Sequence, residues 1–337
     1  MLSASIVVPM YNSQDFIGRC VQSLLPQLNA DDELILVDDG SEDGTRETAQ
    51  ALAATNTQIH FHPLDRNMGV SVARNHGVDV AAGDIVLFVD PDDEPDPAML
   101  SLFRDALEST GATVAAGGYR ILDVATGAVS SPGIPADDRL VAGTTALEML
   151  CERRLASSVC FMAFRRDFLA DGRRFRENHR FEDFIFLADF LADAPFVAVF
   201  RTPVYLYRRR VGSETGRLNE TAFDVLVGEQ AAQAALSKLP NSARRQYLSR
   251  RLRVSLHTTL ANQAAAFGDG GERTQRALRR ARSGVQTRDV LTIARAEPGL
   301  AIRALLLRVS PPLFVMSFRA GRTTKKYAKA VWRRTLS

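Results

Sequence analysis

The five apolar residues Ile85-Val86-Leu87-Phe88-Val89 run without polar alternation straight into Asp90-Pro91-Asp92-Asp93. An apolar run of strand length with no alternation is covered on both faces, the situation of a strand inside a parallel sheet. Ligands of such sheets collect beyond the carboxyl ends of the strands. Here that end carries three carboxylates within four residues. Their mutual repulsion is relieved by a hard divalent cation, and Mg2+ in such a place usually brings substrate phosphates with it. The competing reading is a solvated acidic turn that caps a helix starting near Asp96.

The same order of apolar run, polar tip and helix recurs along the N-terminal half. Ser5-Ile6-Val7-Val8-Pro9 leads to Tyr11-Asn12-Ser13 and a helical pattern through Phe16, Ile17, Cys20, Val21, Leu24, Leu25 and Leu28, with Ser13 as the expected cap. Glu33-Leu34-Ile35-Leu36-Val37 leads to Asp38-Asp39-Gly40-Ser41, and Ser41 or Asp43 is placed to cap a helix through Ala53. A third strand is expected over 58–62 and a third helix over 69–82. Alternating strands and helices predict an α/β fold with parallel strands and right-handed crossovers. Asp38-Asp39 and the 90–93 cluster then reach one rim. Neither Gly-x-Gly-x-x-Gly nor Gly-x-x-x-x-Gly-Lys-Ser/Thr is present, so a phosphate ligand would depend on the metal.

Four ordered motifs carry a resemblance: Val7-Val8-Pro9-Met10-Tyr11-Asn12, Val37-Asp38-Asp39-Gly40-Ser41, Gly69-Val70-Ser71-Val72-Ala73-Arg74-Asn75 and Phe88-Val89-Asp90-Pro91-Asp92-Asp93. With a later Glu182-Asp183 pair, this set resembles family 2 glycosyltransferases over roughly the first 215 residues. The resemblance implies a GT-A type, Rossmann-like, mostly parallel sheet flanked by helices. It also implies a nucleoside-diphosphate sugar donor, UDP-linked in the leading reading, with Mn2+ or Mg2+ and inversion at the transferred carbon. Pro9, Tyr11 and Asp39 match positions that hold the nucleobase, where a ring can stack and a carboxylate can accept a base N–H; Asn12 is grouped with them. Asp90 matches the ribose-side carboxylate, Asp92 the metal ligand, and Arg74 a basic residue near the nucleotide.

Asp183 matches the base that deprotonates the acceptor hydroxyl, at the start of a helix under the acceptor site. Glu182, Asp93 and His179 are further acceptor-site candidates; the competing, lesser reading makes Glu182 or Asp183 merely a first-turn acid that favours a helix dipole. Beyond it, Tyr205-Leu206-Tyr207-Arg208-Arg209-Arg210-Val211-Gly212-Ser213 is similar to a segment that closes over the pyrophosphate. Arg208, Arg210 and Ser213 are therefore candidates for holding the leaving group.

Charge divides the chain. Residues 201–337 hold 27 of the 42 Lys and Arg but only 8 of the 39 Asp and Glu, a net of +19, whereas residues 1–200 carry a net of −16. A length of 337 residues fits a catalytic domain, 1–213, followed by a smaller helical region, 214–337. The expected tail helices span 214–237, 241–266, 271–283 and 286–296, with a last basic segment. From Gly299 onward there are nine Lys or Arg and no acid, interleaved with Leu305-Leu306-Leu307, Leu313-Phe314-Val315-Met316 and Trp332. The clean run from Val309 to Phe318 has ten residues and two prolines, about half of what a membrane crossing requires. Residues 299–337 suit instead the interface of an anionic membrane surface, with packing on the catalytic domain as the plainer reading. Nucleic acid is disfavoured because no recognisable binding module accompanies the charge.

Met1-Leu2-Ser3-Ala4 enters the first strand without a basic leader, which predicts a cytoplasmic protein, peripheral on the inner membrane face if the basic end binds lipid. Cys20, Cys151 and Cys160 lack metal spacing and are expected as reduced thiols in or near the core. A sugar-1-phosphate nucleotidyltransferase would show a Gly-rich, Arg-containing loop where Pro9-Met10-Tyr11-Asn12 stands. A non-catalytic nucleotide-sugar binding module is countered by the intact Asp90, Asp92 and Asp183. The acceptor, a glycan, wall polymer or lipid-linked molecule, is not legible, since 119–180 has no readable motif; neither the donor sugar nor the oligomeric state is encoded in any recognisable pattern.

Overall fold

A computed structural model describes residues 1–124, 126–131, 137–209 and 218–320, with only the main chain at Arg209. Arg210, Ser213, the start of the first tail helix at 214–217 and the basic end 321–337 lie outside the described residues. The chain divides into two compact units, Met1–Arg210 and Val211–Ser337.

In the first unit, β1 (Ala4–Met10), β2 (Glu33–Asp38), β3 (Ile59–Pro63) and β4 (Ile85–Phe88) run parallel in the order β3-β2-β1-β4. Every residue of β1 and β4 is buried, so the unalternating apolar runs are covered on both faces. The crossovers are α1 (Gln14–Leu24), α2 (Thr45–Thr55) and α3 (Val70–Val80). α3 lies so close to β1 that a Cβ on Gly77 would stand 2.3 Å from Val7 Cγ1, a contact only glycine permits.

The sheet continues through β5 (Glu94–Pro95), β6 (Val114–Asp123), β7 (Ala128–Ser130), β8 (Arg139–Ala142), β9 (Met162–Arg165) and β10 (Phe196–Arg209). Here the parallel pattern ends, because β9 inserts antiparallel between β4 and β6 while β10 runs parallel to β6. The helices of this half are α4 (Met99–Thr110), α5 (Gly143–Cys151), α6 (Arg166–Ala170) and α7 (Glu182–Leu191). Phe164 of β9 meets Phe88, Phe186 and Phe190 edge-on, joining β4 to α7 through one aromatic cluster. All three cysteines are free and buried.

Helix starts differ from the expected caps. Ser13 does occupy the N-cap of α1, but its hydroxyl donates to Tyr11 O at 3.2 Å. Gly44, not Ser41 or Asp43, precedes α2; Asp43 accepts the Thr45 N–H from one residue further out, at 3.0 Å. The helix expected near Asp96 begins at Met99, because Asp96 folds back to accept the Ala98 N–H at 3.1 Å.

The second unit is helical: α8 (Asp224–Ser237), α9 (Ala243–Phe267), α10 (Glu272–Gly284), α11 (Thr287–Ile293), α12 (Pro298–Val309) and a helix over 311–320. Ser242 caps α9 by accepting the Arg245 N–H at 3.1 Å. α9 is the centre of the unit, with Leu248, Leu252, Leu256 and Leu260 recurring every fourth residue and all buried. Among the described residues no helix is long and apolar enough to cross a membrane.

Candidate active site

Because β1, β2 and β4 are parallel, their carboxyl ends meet at one rim. Asn12, just past β1, adopts a left-handed φ of 48°. Its N–H donates to Ser41 Oγ at 3.0 Å and its Oδ1 accepts the Glu42 N–H at 2.9 Å, fastening the first tip to the second. Pro9 is buried within β1 opposite Val37, and the neighbouring Tyr11 is 43% exposed, its ring available at the rim. The turn after Asp39 requires glycine. Gly40 has φ +69°, and a Cβ there would lie 2.4 Å from the Arg66 main chain.

Asp39 is buried, and its two oxygens accept the N–H groups of Met68 and Gly69 at 2.7 and 2.8 Å. Burial raises its pKa, and those two bonds work in the opposite direction. Before meeting any ligand, Asp39 therefore anchors the loop that leads into α3.

Arg74, one turn into α3, is only 3% exposed and is not a surface ion pair. Its Nη1 donates to Asp183 Oδ1 at 2.7 Å and to Glu182 Oε1 at 2.9 Å, and its Nη2 to Asp90 Oδ1 at 3.0 Å. Burial opposes its charge, but Asp183, Asp90 and Glu182 outweigh burial and raise its pKa. The guanidinium lies 5.4 Å from the Phe175 ring centre. Asn75 fixes that segment by exchanging two hydrogen bonds with the Phe175 main chain, at 3.0 and 2.8 Å.

Glu182 and Asp183 form the first turn of α7, where the helix dipole favours negative charge. Asp183 Oδ2 also accepts the Val159 N–H at 3.2 Å. Burial nevertheless raises the Asp183 pKa, with Arg74 holding it back. Glu182 is pushed up from 4.5 to about 7, first by burial and then by the Asp183 charge. His179 is half-buried in the turn ahead of α7.

The acidic corner is tied to β10. The Asp90 N–H donates to the hydroxyl of buried Tyr205 at 3.1 Å, and Asp93, also buried, accepts the Arg208 N–H at 3.0 Å. The Arg208 guanidinium bonds Glu94 Oε1 at 2.6 Å. Asp92 is half-buried between these two anchors. Tyr205, Phe175 and Val159 support the site without having been singled out by pattern: an aromatic strand hints at the first, and nothing in the sequence marks the other two.

Among the described residues no group of three or more His, Cys, Asp or Glu is placed to hold a metal ion by itself. The donors at the corner are carboxylate oxygens, which suit a hard cation that takes its remaining ligands from phosphate and water. Cys160 is buried, and its thiol pKa is driven well up by burial and then by Asp90, which disfavours the thiolate.

Comparison with known proteins agrees with this geometry. The family model described as Glycosyl transferase family 2 matches residues 5–172. Glycosyltransferase GlyG of Streptococcus pneumoniae is 28% identical over 229 residues, 66% of this chain and 74% of that protein. Succinoglycan biosynthesis protein ExoO of Rhizobium meliloti is 30% identical over 252 residues, 68% of this chain and 67% of that one. A solved structure of S. aureus TarS 1–349 in complex with UDP-GlcNAc is similar over 95% of this chain and 92% of that chain, with a TM-score of 0.73 at 19% identity. With the fold matched almost end to end and the family's motifs gathered at a single rim, the chain belongs to glycosyl transferase family 2 and is a glycosyltransferase of the GT-A fold.

Proposed function

We propose that the enzyme moves a sugar from a nucleoside-diphosphate sugar, UDP-linked, to a hydroxyl of a wall or surface glycan or a lipid-linked acceptor, inverting the anomeric carbon. The observation that carries this reading is the simultaneous bonding of Arg74 to Asp90 and Asp183. It joins the corner suited to a donor and the carboxylate suited to an acceptor in one cluster.

Asp183 takes the proton of the acceptor hydroxyl as the acceptor oxygen bonds to the anomeric carbon. The bond to the diphosphate oxygen breaks, and its electron pair leaves with the nucleoside diphosphate. Arg74 favours the ionised form of Asp183 and so works against the burial that raises its pKa. On the donor side, Tyr11 stacks on the base, Asp39 accepts a base N–H, and Asp90 holds the ribose. Mg2+ or Mn2+ held by Asp92 would supply positive charge to the diphosphate. Arg208, engaged by Glu94, together with Arg210 and Ser213 are the candidates for holding the leaving group.

The test is a screen of nucleoside-diphosphate sugars with Mn2+ or Mg2+ and glycan acceptors, read as nucleoside diphosphate release. Release from a UDP-sugar that disappears in Asp183→Asn supports the reading. Turnover of only a non-uridine donor, or turnover unaffected by Asp183→Asn, would overturn the corresponding part.

A further inference from the structure

The second unit carries an apolar face that none of its own described helices covers. Leu291 of α11 is 71% exposed, and Ile302, Leu305 and Val309 of α12 are 60%, 48% and 67% exposed. The three α12 residues recur at helical spacing and so share one side of the helix. Leu291, Ile302 and Leu305 line the same groove of about 220 Å³ between α11 and α12. Leu313 and Met316 continue the exposed set on the helix over 311–320, at 52% and 65%. Contiguous exposed apolar surface of this kind marks an interaction site.

Charge tells what covers it. Arg288, Arg295 and Arg303 are exposed on the same two helices and their connection. The only acids after Glu272 are Asp289 and Glu297. Neither is a free charge: Asp289 is fully buried and bonds Arg253 at 3.2 Å, and the partly exposed Glu297 bonds Arg251 at 3.0 Å. The surface is thus apolar with positive charge, and the two acids of this stretch are already engaged by Arg251 and Arg253. A second copy of the chain is a poor occupant, since a twofold contact would set these arginines against themselves. Phospholipid with anionic headgroups satisfies both features, through acyl contact and headgroup charge.

We propose that α11, α12 and the following helix dock on an anionic lipid bilayer, with Leu291, Ile302, Leu305 and Val309 entering the headgroup–acyl boundary. This docking is independent of the transfer chemistry. The full chain is sedimented with vesicles of phosphatidylcholine alone and with vesicles containing phosphatidylglycerol, across a salt series. The expected result is pelleting with the anionic vesicles only, weakening as salt rises. Ile302→Glu with Val309→Glu weakens it by about tenfold or more, given roughly 1 kcal/mol per charge near the surface. Arg295→Glu with Arg303→Glu flattens the salt dependence while retaining the apolar contact. Circular dichroism checks that both variants stay helical, and the wild-type arm decides on its own if one does not. Wild-type protein that stays in the supernatant with anionic vesicles, or pelleting unchanged in both variants, overturns the proposal. So does a dimer in solution that Ile302→Glu with Val309→Glu disperses without altering vesicle binding, which would give the face to a second copy.

Discussion

Arg74 Nη1 stands 2.7 Å from Asp183 Oδ1 while donating to Glu182 as well, so one buried nitrogen serves two adjacent carboxylates. The two acids compete for a single positive group, and each negative charge makes the other harder to form. Burial raises both pKa values at this helix start, that of Glu182 to about 7, while Arg74 draws each of them back down.

Asp183→Asn preserves shape and removes the proposed proton acceptor. We expect turnover to fall by about a hundred- to ten-thousand-fold, with donor affinity kept within a factor of about two. Steady-state kinetics with calorimetric nucleotide titration separates the two; a variant that loses donor binding instead would make Asp183 a binding group.

Arg74→Ala leaves Asp90, Glu182 and Asp183 gathered without their shared cation. A loss of about 3–5 kcal/mol of stability is expected, the range for removing one partner of a buried ion pair. Arg74→Lys restores charge but not the forked geometry, and should recover only part of the melting temperature. Equal melting temperatures for Arg74→Ala and wild type would show that these contacts contribute nothing net.

Glu182 gives a pH dependence whose sign can be worked out. Folding lifts its pKa from 4.5 to about 7, so between those values the folded chain holds a proton that the unfolded chain has released. Stability from this group is therefore present below about pH 4.5 and declines as pH rises towards 7. Glu182→Gln removes the titration, and its melting temperature should gain on wild type across that interval. Parallel curves from pH 4.5 to 7.5 would contradict it.

Asp92→Ala should abolish the part of nucleotide binding that depends on Mn2+ or Mg2+, leaving weak metal-independent binding through Tyr11 and Asp39. Titration of UDP with and without the cation, in wild type and variant, reads this directly. A metal effect of equal size in both proteins would move the cation away from Asp92.

β1, β2 and β4 were legible because each is a short, mainly apolar run ending in a polar tip, the mark of burial on both faces, whereas β3, with His60 and His62 and only Ile59 buried, was marked by its place between two helix patterns. Ser13 and Asp43 misled in detail because short polar side chains bond whichever neighbouring backbone group the turn presents, and a sequence does not fix the turn. β9 was illegible: Met162–Arg165 is four residues long, and its antiparallel direction is set by the partners it meets, not by its own composition. Residues 90, 92 and 183 could be picked out as carboxylates at strand and helix ends. That Arg74 binds Asp90 and Asp183 together could not, since the contact spans 109 residues to Asp183 and depends on the register of α3 against β1, which Gly77 sets.

The two amide hydrogens held by Asp39 have a consequence for selectivity. Residues 68 and 69 are held in place by Asp39 itself, so under the proposed function little freedom is lost there when a nucleotide binds. Discrimination between one nucleobase and another on that side should then come from shape match against a rigid wall, and show itself more in how fast the wrong nucleotide departs than in how slowly it enters.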